Sequence, residues 1–268
     1  MKLDGSRVLV TGASSGIGAE LAPMLAARGA TVGLVARRAD RLEAVLARCR
    51  EHSPDSRMWV ADLGDLAAAE TVAREADEAF GGLDVLVNNA AIPKRKRVTD
   101  LTASEVEHVM TVDFASPARM TLAVLPGMLA RGRGQVLFVS SLGGRIPIAN
   151  ESAYNAAKFA VCGFAEAMML DLAGTGVEVR LVLPGPIATE IWDRPDNEPA
   201  LIEVETVPAA ECAAGIADAI ESDDFEHYVP AELPGGMDAR DLAVAKVRDC
   251  NGYLRGMAEF TRSLRESR

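Results

Sequence analysis

The sequence predicts an α/β fold: a doubly wound parallel sheet in a single domain, with a C-terminal helical extension. Three observations carry that expectation. Short β-branched apolar runs alternate with longer Ala-rich stretches along most of the 268 residues, and strands that alternate with helices imply parallel pairing through right-handed crossovers. A glycine-rich turn, TGASSGIG, joins the first apolar run to the first helical stretch. A chain of 268 residues, 49% hydrophobic and 25% charged, suits one soluble domain with a sizeable core.

Taken in order, RVLVT (7–11) is the first strand and leads through the glycine turn into a helix near 16–28. TVGLVA (31–36) is the second strand. The helix after it, 40–51, has local support, because Asp40 and Glu43 make a D-x-x-E capping pattern. RMWVA (57–61) and a helix near 65–80 follow, then LDVLVN (83–88). The long stretch 102–131 is helical in composition, but Pro117 predicts a kink or two helices there. GQVLFVS (134–140), a helix near 151–173, VEVRLVL (177–183), a helix near 208–222 and the shorter EHYVP (226–230) complete the alternation. The segment 231–268 reads as a helical tail, with Val247, Leu254, Met257, Phe260 and Leu264 at three- and four-residue steps. Such a face must dock, either on its own domain or on another subunit. Its arginines also permit a membrane-surface reading, which the acidity of the chain disfavours.

The formal net charge of −11 argues against a broad nucleic-acid surface or an anionic membrane surface, and no apolar run is long enough to span a bilayer. The first residues enter a strand almost at once, so no signal peptide is expected. Cys49, Cys162, Cys212 and Cys250 are scattered, as are His52, His108 and His227. Reduced thiols in a cytoplasmic protein without a bound metal are the expectation.

Ligands of doubly wound sheets sit outside the carboxyl ends of the strands, so the segments 12–18, 36–38, 62–64, 88–97, 140–151 and 184–205 should line a site. In the first, Gly12, Gly16 and Gly18 allow a tight turn and close approach to a pyrophosphate, whose charge the helix N-terminus can hold. The strand–turn–helix setting makes the sheet Rossmann-type, although G-x-x-x-G-x-G differs from the commoner spacing. At the end of the second strand, where an NAD site commonly has a carboxylate, stand Ala36, Arg37 and Arg38. A guanidinium can pair with a 2′-phosphate, which favours NADP(H) over NAD(H); the alternative is two solvated arginines before a helix. Tyr154 and Lys158 are four apart in SAYNAAKFA. They can share a helix face, where a close ammonium favours the phenolate, or they can be a half-buried tyrosine and a surface lysine.

NNAA (88–91), SS (140–141) and PGPIAT (184–189) fall at the ends of the fourth, fifth and sixth strands. With the glycine turn and Tyr154/Lys158, in this order, they closely resemble the short-chain dehydrogenase/reductase family over roughly residues 5 to 190. The resemblance implies an NADP(H)-dependent oxidoreductase interconverting an alcohol and a ketone or aldehyde. Tyr154 would be the acid/base, Lys158 the group that lowers its pKa and binds the nicotinamide ribose, and Ser141 the hydrogen-bond donor to the substrate oxygen. Gly12, Ser14, Ser15, Gly16, Ile17 and Gly18 would form the cofactor turn. Asp62 and Leu63 would lie beside the adenine, Asn89 and Ala90 near its ribose, and Pro184, Gly185, Ile187 and Thr189 along the nicotinamide carboxamide. In one place the chain departs from the family. Where relatives carry an asparagine supporting a water-linked proton relay to the lysine, MTVDFASP places Asp113.

The substrate, a small alcohol or carbonyl compound, would be chosen by the segments 92–97, 142–151 and the loop 190–207. Ile146, Ile148, Ile191 and Trp192 point to a partly hydrophobic one. The basic run Lys94 to Arg97 reads as a solvated loop, with an anionic substrate or carrier as the alternative. A homo-oligomer (dimer or tetramer) is expected. Two rival functions are an epimerase or dehydratase on the same scaffold, and a non-catalytic NADP-binding regulator.

Overall fold

A computed structural model describes residues 1–193, 196–201, 204–233 and 235–266. Parts of the expected substrate loop (194–195 and 202–203) and of the tail (234 and 267–268) therefore lie outside the described residues.

The chain runs β1 (Arg7–Thr11), α1 (Gly16–Ala27), β2 (Thr31–Ala36), α2 (Ala39–Arg50), β3 (Arg57–Val60), α3 (Leu66–Ala79) and β4 (Val85–Asn88). It continues through α4 (Ala103–Met110), α5 (Ser116–Arg131), β5 (Gly134–Val139), α6 (Ser152–Asp171) and β6 (Val177–Pro184). The two-residue strands β7 (Ile187–Ala188) and β8 (Val207–Pro208) pair with each other before α7 (Ala209–Glu221) and β9 (Glu226–Val229). A short hairpin, β10 (Glu232–Leu233) and β11 (Met237–Asp238), leads into α8 (Ala239–Arg248) and α9 (Cys250–Glu266).

Seven strands form one parallel sheet in the order β3-β2-β1-β4-β5-β6-β9. The order reverses direction between β1 and β4, which opens a crevice at their carboxyl ends. One core lies where α1, α2 and α7 cover the sheet, with Leu21, Leu25, Leu42, Ile216 and Ile220 buried. The other lies under α3, α5 and α6, around Val72, Met120, Met128, Phe138 and Val161. Both faces are covered, which is why β5 is buried along its whole length.

Side-chain caps start α3, α4 and α8. Asp65 Oδ1 accepts the N–H groups of Ala67 (2.9 Å) and Ala68 (3.2 Å) to start α3. Thr102 and Glu105 make a reciprocal capping box for α4. The expected Asp40–Glu43 box does not form, because α2 begins at Ala39 with Arg38 at the N-cap position, so Asp40 lies inside the first turn. The 102–131 stretch divides as Pro117 requires. Between α4 and α5 the backbone widens into a π-turn over Thr111–Ala115, since a proline in the next turn has no N–H to return to residue 113 and its ring crowds that carbonyl. Asp113 sits in this turn and is buried.

Candidate active site

The glycine turn is locked against the end of β4. Thr11 Oγ1 accepts the N–H groups of Asn89 (2.9 Å) and Ala90 (3.0 Å), and Asn89 Nδ2 donates to the Thr11 carbonyl at 2.9 Å. Gly12 has φ +68°, and a Cβ there would lie 2.8 Å from Ala90 Cα. A Cβ on Gly18 would lie 2.5 Å from the Gly12 carbonyl oxygen. The turn therefore admits no side chain at either place. Beyond it, α1 starts at Ser15 with no side-chain cap and no acidic residue in its first turn. Its exposed N–H groups suit a pyrophosphate. The donor set fits a nicotinamide dinucleotide.

The two arginines after β2 part company. Arg38 reaches back to this turn, donating from Nη2 to Ser15 Oγ (2.6 Å) and from Nε to Ser14 Oγ (3.4 Å), while Nη1 meets Glu190 at 3.0 Å. Arg41, which the sequence reading passed over, pairs with the same glutamate. Arg37 is half exposed and lies 3.9 Å from the Asp62 carboxylate. Asp62 is exposed and holds the turn through the Gly64 N–H, and Leu63 is buried.

At the start of α6, Tyr154 and Lys158 are one turn apart, and the Lys158 Nζ lies 5.4 Å from the tyrosine ring centroid. Lys158 is buried and donates to the Val139 carbonyl at 3.3 Å. Ser141, just beyond β5, accepts the Gly143 N–H at 3.0 Å. Asn155, absent from the sequence expectations, pins the segment beyond Ser141 to α6: Nδ2 donates to the Gly143 and Ile146 carbonyls, and Oδ1 accepts the Ile148 N–H at 3.1 Å. An asparagine next to the tyrosine was its only trace in the sequence.

Asp113 reaches the lysine directly: its Oδ2 lies 3.7 Å from Lys158 Nζ, an ion-pair distance, and its Oδ1 accepts the Ile92 N–H at 2.8 Å. Burial pushes its carboxyl up to about 6, against the pull of Lys158 and of the Ile92 N–H. The Tyr154 hydroxyl is shifted upward as well, foremost by burial and then by the Asp113 charge, with the Ser141 hydrogen bond opposing.

Ser141, Tyr154 and Lys158 open onto a cavity of about 770 Å³. Ile146, Ile148, Ile191 and Trp192 line it, as do Pro184, Gly185, Ile187 and Thr189. Its far wall is α9, through Tyr253, Met257, Thr261 and Leu264. The tail's expected face thus divides: Met257 and Leu264 turn to the cleft, whereas Val247, Leu254 and Phe260 are exposed. Nor is the basic run a solvated loop. Lys94 is buried between Glu105 (2.8 Å) and Asp196 (3.2 Å), Lys96 pairs with Glu105, and Arg95 is buried with its guanidinium 5.0 Å from the centre of the Trp192 ring. Only Arg97 of the four is exposed. Three cations bound to local carboxylates and an indole are poorly placed to attract an anionic carrier. Among the described residues no group of His, Cys, Asp or Glu is arranged to hold a metal, and no helix is long and apolar enough to cross a membrane.

Residues 6–199 match the family model described as short chain dehydrogenase. The chain is 33% identical over 197 residues to dehydrogenase/reductase SDR family member 7B of Xenopus laevis, covering 70% of this chain and 60% of that protein. It is 33% identical over 210 residues to the 3-oxoacyl-acyl-carrier-protein reductase FabG of Vibrio cholerae, covering 78% of this chain and 84% of the reductase. The chain spans about three fifths of the length of the first curated relatives it matches. A short-chain dehydrogenase from Sphingobium yanoikuyae, solved in complex with NADPH, superposes with a TM-score of 0.78 at 29% identity over 95% of both chains.

Proposed function

The chain belongs to the short-chain dehydrogenase/reductase family of NAD(P)-dependent oxidoreductases, and from that premise we propose that it reduces a partly hydrophobic ketone or aldehyde with NADPH, and oxidises the corresponding alcohol in reverse. The observation that carries this reading is one cleft in which Ser141, Tyr154 and Lys158 line the same apolar cavity as the Pro184–Thr189 segment. When bound, the nicotinamide supplies a hydride to the carbonyl carbon. Gly12, Ser14, Ser15, Gly16, Ile17 and Gly18 would hold its pyrophosphate, Asp62 and Leu63 would flank the adenine, and Asn89 and Ala90 would flank the adenosine ribose. Pro184, Gly185, Ile187 and Thr189 would hold the carboxamide. Ser141 and Tyr154 donate hydrogen bonds to the substrate oxygen as negative charge grows there, and Tyr154 passes its proton to that oxygen. Lys158 holds the ribose and keeps positive charge beside the tyrosine, with Asp113 as its counterion. Burial and the Asp113 charge favour the neutral, proton-bearing form of Tyr154, the form that carbonyl reduction requires.

Anaerobic mixing of the purified protein with NADPH and a panel of ketones tests this. Net oxidation of NADPH is expected; nucleotide binding without turnover of any carbonyl would instead identify a regulator. The cofactor preference has its own test. A desolvated guanidinium–phosphate pair contributes about 1.5–3 kcal/mol, at least tenfold in affinity. Arg37→Ala is therefore expected to weaken NADPH at least ~10-fold more than NADH. Arg38→Ala should weaken both, because Arg38 also holds Ser14 and Ser15. Titrating each variant with both cofactors checks this, and equal losses in Arg37→Ala would show that Arg37 does not read the 2′-phosphate.

The α9 wall gives a further expectation. Met257→Ala removes roughly 2 kcal/mol of apolar contact from a long substrate. The KM for a ten-carbon ketone should rise at least ~10-fold, and that for acetone far less. Identical changes for the two would mean that α9 does not contact substrate.

A further inference from the structure

Asn155 takes no part in the chemistry above, yet it touches the backbone on which that chemistry rests. It follows Tyr154 on α6, so its side chain leaves the helix about 100° round from the tyrosine. The tyrosine lines the cleft, whereas Asn155 is buried against the segment after Ser141. Its Nδ2 donates to the Gly143 and Ile146 carbonyls, and its Oδ1 accepts the Ile148 N–H at 3.1 Å. Two acceptors on one side and one donor on the other fix which way the amide points. The segment it grips has little order of its own. Gly143 and Gly144 are adjacent glycines, Pro147 has no N–H, and residues 145–151 form neither helix nor strand.

Gly143 is the link to the reacting end. Its carbonyl is held by Asn155, and its N–H donates to Ser141 Oγ at 3.0 Å. A Cβ on Gly143 would stand 3.1 Å from Asn155 Nδ2, 3.2 Å from Ile148 Cδ1 and 3.4 Å from Ser141 Oγ, so three side chains close on one residue. Ser141 also hydrogen-bonds the Tyr154 hydroxyl. A serine hydroxyl has one proton and two lone pairs. With the Gly143 N–H on one lone pair, the proton stays available to be donated, and its direction follows the place of Gly143.

We propose that Asn155 is a positioning residue for this reaction: through Gly143 it aims the Ser141 hydroxyl, and through Ile146 and Ile148 it holds the apolar wall that meets the substrate. This rests on the oxidoreductase reading of the same cleft. Both isoleucines line the cavity. One amide thus ties the fit of the substrate to the hydrogen bond that its oxygen receives. Without it, the paired glycines leave Gly143 free to turn, and a shift of about 1 Å at a donor is enough to cost ~100-fold in rate.

The test is a double-mutant cycle on the single-turnover rate with NADPH and one reactive ketone. Asn155→Ala is expected to lower that rate at least ~10-fold, with NADPH affinity within about twofold of wild type. Ser141→Ala removes the hydroxyl that Asn155 aims. In that background Asn155→Ala should cost less than about threefold, because nothing is left to misplace. The KM for a ten-carbon ketone should rise at least ~3-fold in both backgrounds, since the isoleucine wall does not depend on Ser141. A side chain that only stabilised the fold would lower the rate by the same factor in both backgrounds, and that result would overturn the proposal. So would a wild-type rate and KM in Asn155→Ala, or a loss of NADPH affinity that matches the loss in rate. Asn155→Ser, whose hydroxyl can donate to one of the two carbonyls, takes the same place in the cycle if the alanine variant does not fold. Its loss should be smaller and again confined to proteins that carry Ser141. Wild-type protein that oxidises no NADPH with any ketone would defeat the oxidoreductase reading itself, a failure distinct from an additive cycle.

Discussion

Tyr154→Phe is expected to lower kcat for ketone reduction by at least ~10³-fold while leaving NADPH affinity within a few-fold. The substitution removes one oxygen from a half-buried side chain and leaves the ring, and with it the packing of α6, in place. What is lost is the proton donor and one of the two hydrogen bonds to the substrate oxygen. Ser141 keeps the other, so weak residual turnover is compatible with the assignment. Single-turnover kinetics with NADPH and one reactive ketone, together with cofactor titration, would measure both quantities. Retention of most activity by the Phe variant would defeat Tyr154 as the acid. A loss of NADPH affinity matching the loss in kcat would make the residue a cofactor contact instead.

Asp113→Leu should be nearly as damaging, and Asp113→Asn should not. The leucine leaves Lys158 without its buried counterion and the Ile92 N–H without its acceptor. Breaking a buried pair from one side costs about 3–5 kcal/mol, enough for more than ~100-fold in rate if the loss falls on the lysine's position. An asparagine can still accept from Ile92, so its kcat/KM should stay within about tenfold, ~1.4 kcal/mol. The pH profile separates the electrostatic role from the structural one. Reduction needs Tyr154 protonated, so activity falls as pH rises through the tyrosine's pKa. The Asp113 charge is one of the causes that raise that pKa, and the Asn variant should therefore lose activity at lower pH than wild type. On the acid side, wild-type Asp113 becomes neutral below about 6, so an inflection there should be present in wild type and absent from the Asn variant. Profiles of kcat/KM against pH for all three proteins decide this. A dead Asn variant would show that the carboxylate itself is required, and a Leu variant equal to wild type would remove position 113 from the reaction.

Much of this was legible in the chain. The strand runs from Arg7, Thr31 and Gly134 are local facts, because apolar β-branched segments between turn residues have few other places to go. The same holds for the glycine turn after β1, whose positions admit no Cβ, and for the turn-wise spacing of Tyr154 and Lys158 on α6. Pro117 announced the break before α5, though not that it takes the form of a π-turn holding Asp113.

By itself, then, the sequence determined the alternation of strands and helices, the cofactor turn and the turn-wise placing of Tyr154 and Lys158, because each depends on backbone geometry within a few neighbours. The tertiary structure alone decided the charge state of that cleft. Lys94 looks solvated beside its basic neighbours, yet it meets Asp196 at a sequence separation of 102 residues. Arg95 finds the Trp192 carbonyl at 97. Asp113 finds Lys158 only when the π-turn is pressed against α6, and the tyrosine's pKa rises because those surroundings exclude water. An amphipathic period likewise told that the tail must cover something, but not that Tyr253, Met257, Thr261 and Leu264 would close the cavity. Desolvation and Coulomb energy depend on what surrounds a group in space, and that is fixed only when distant segments pack.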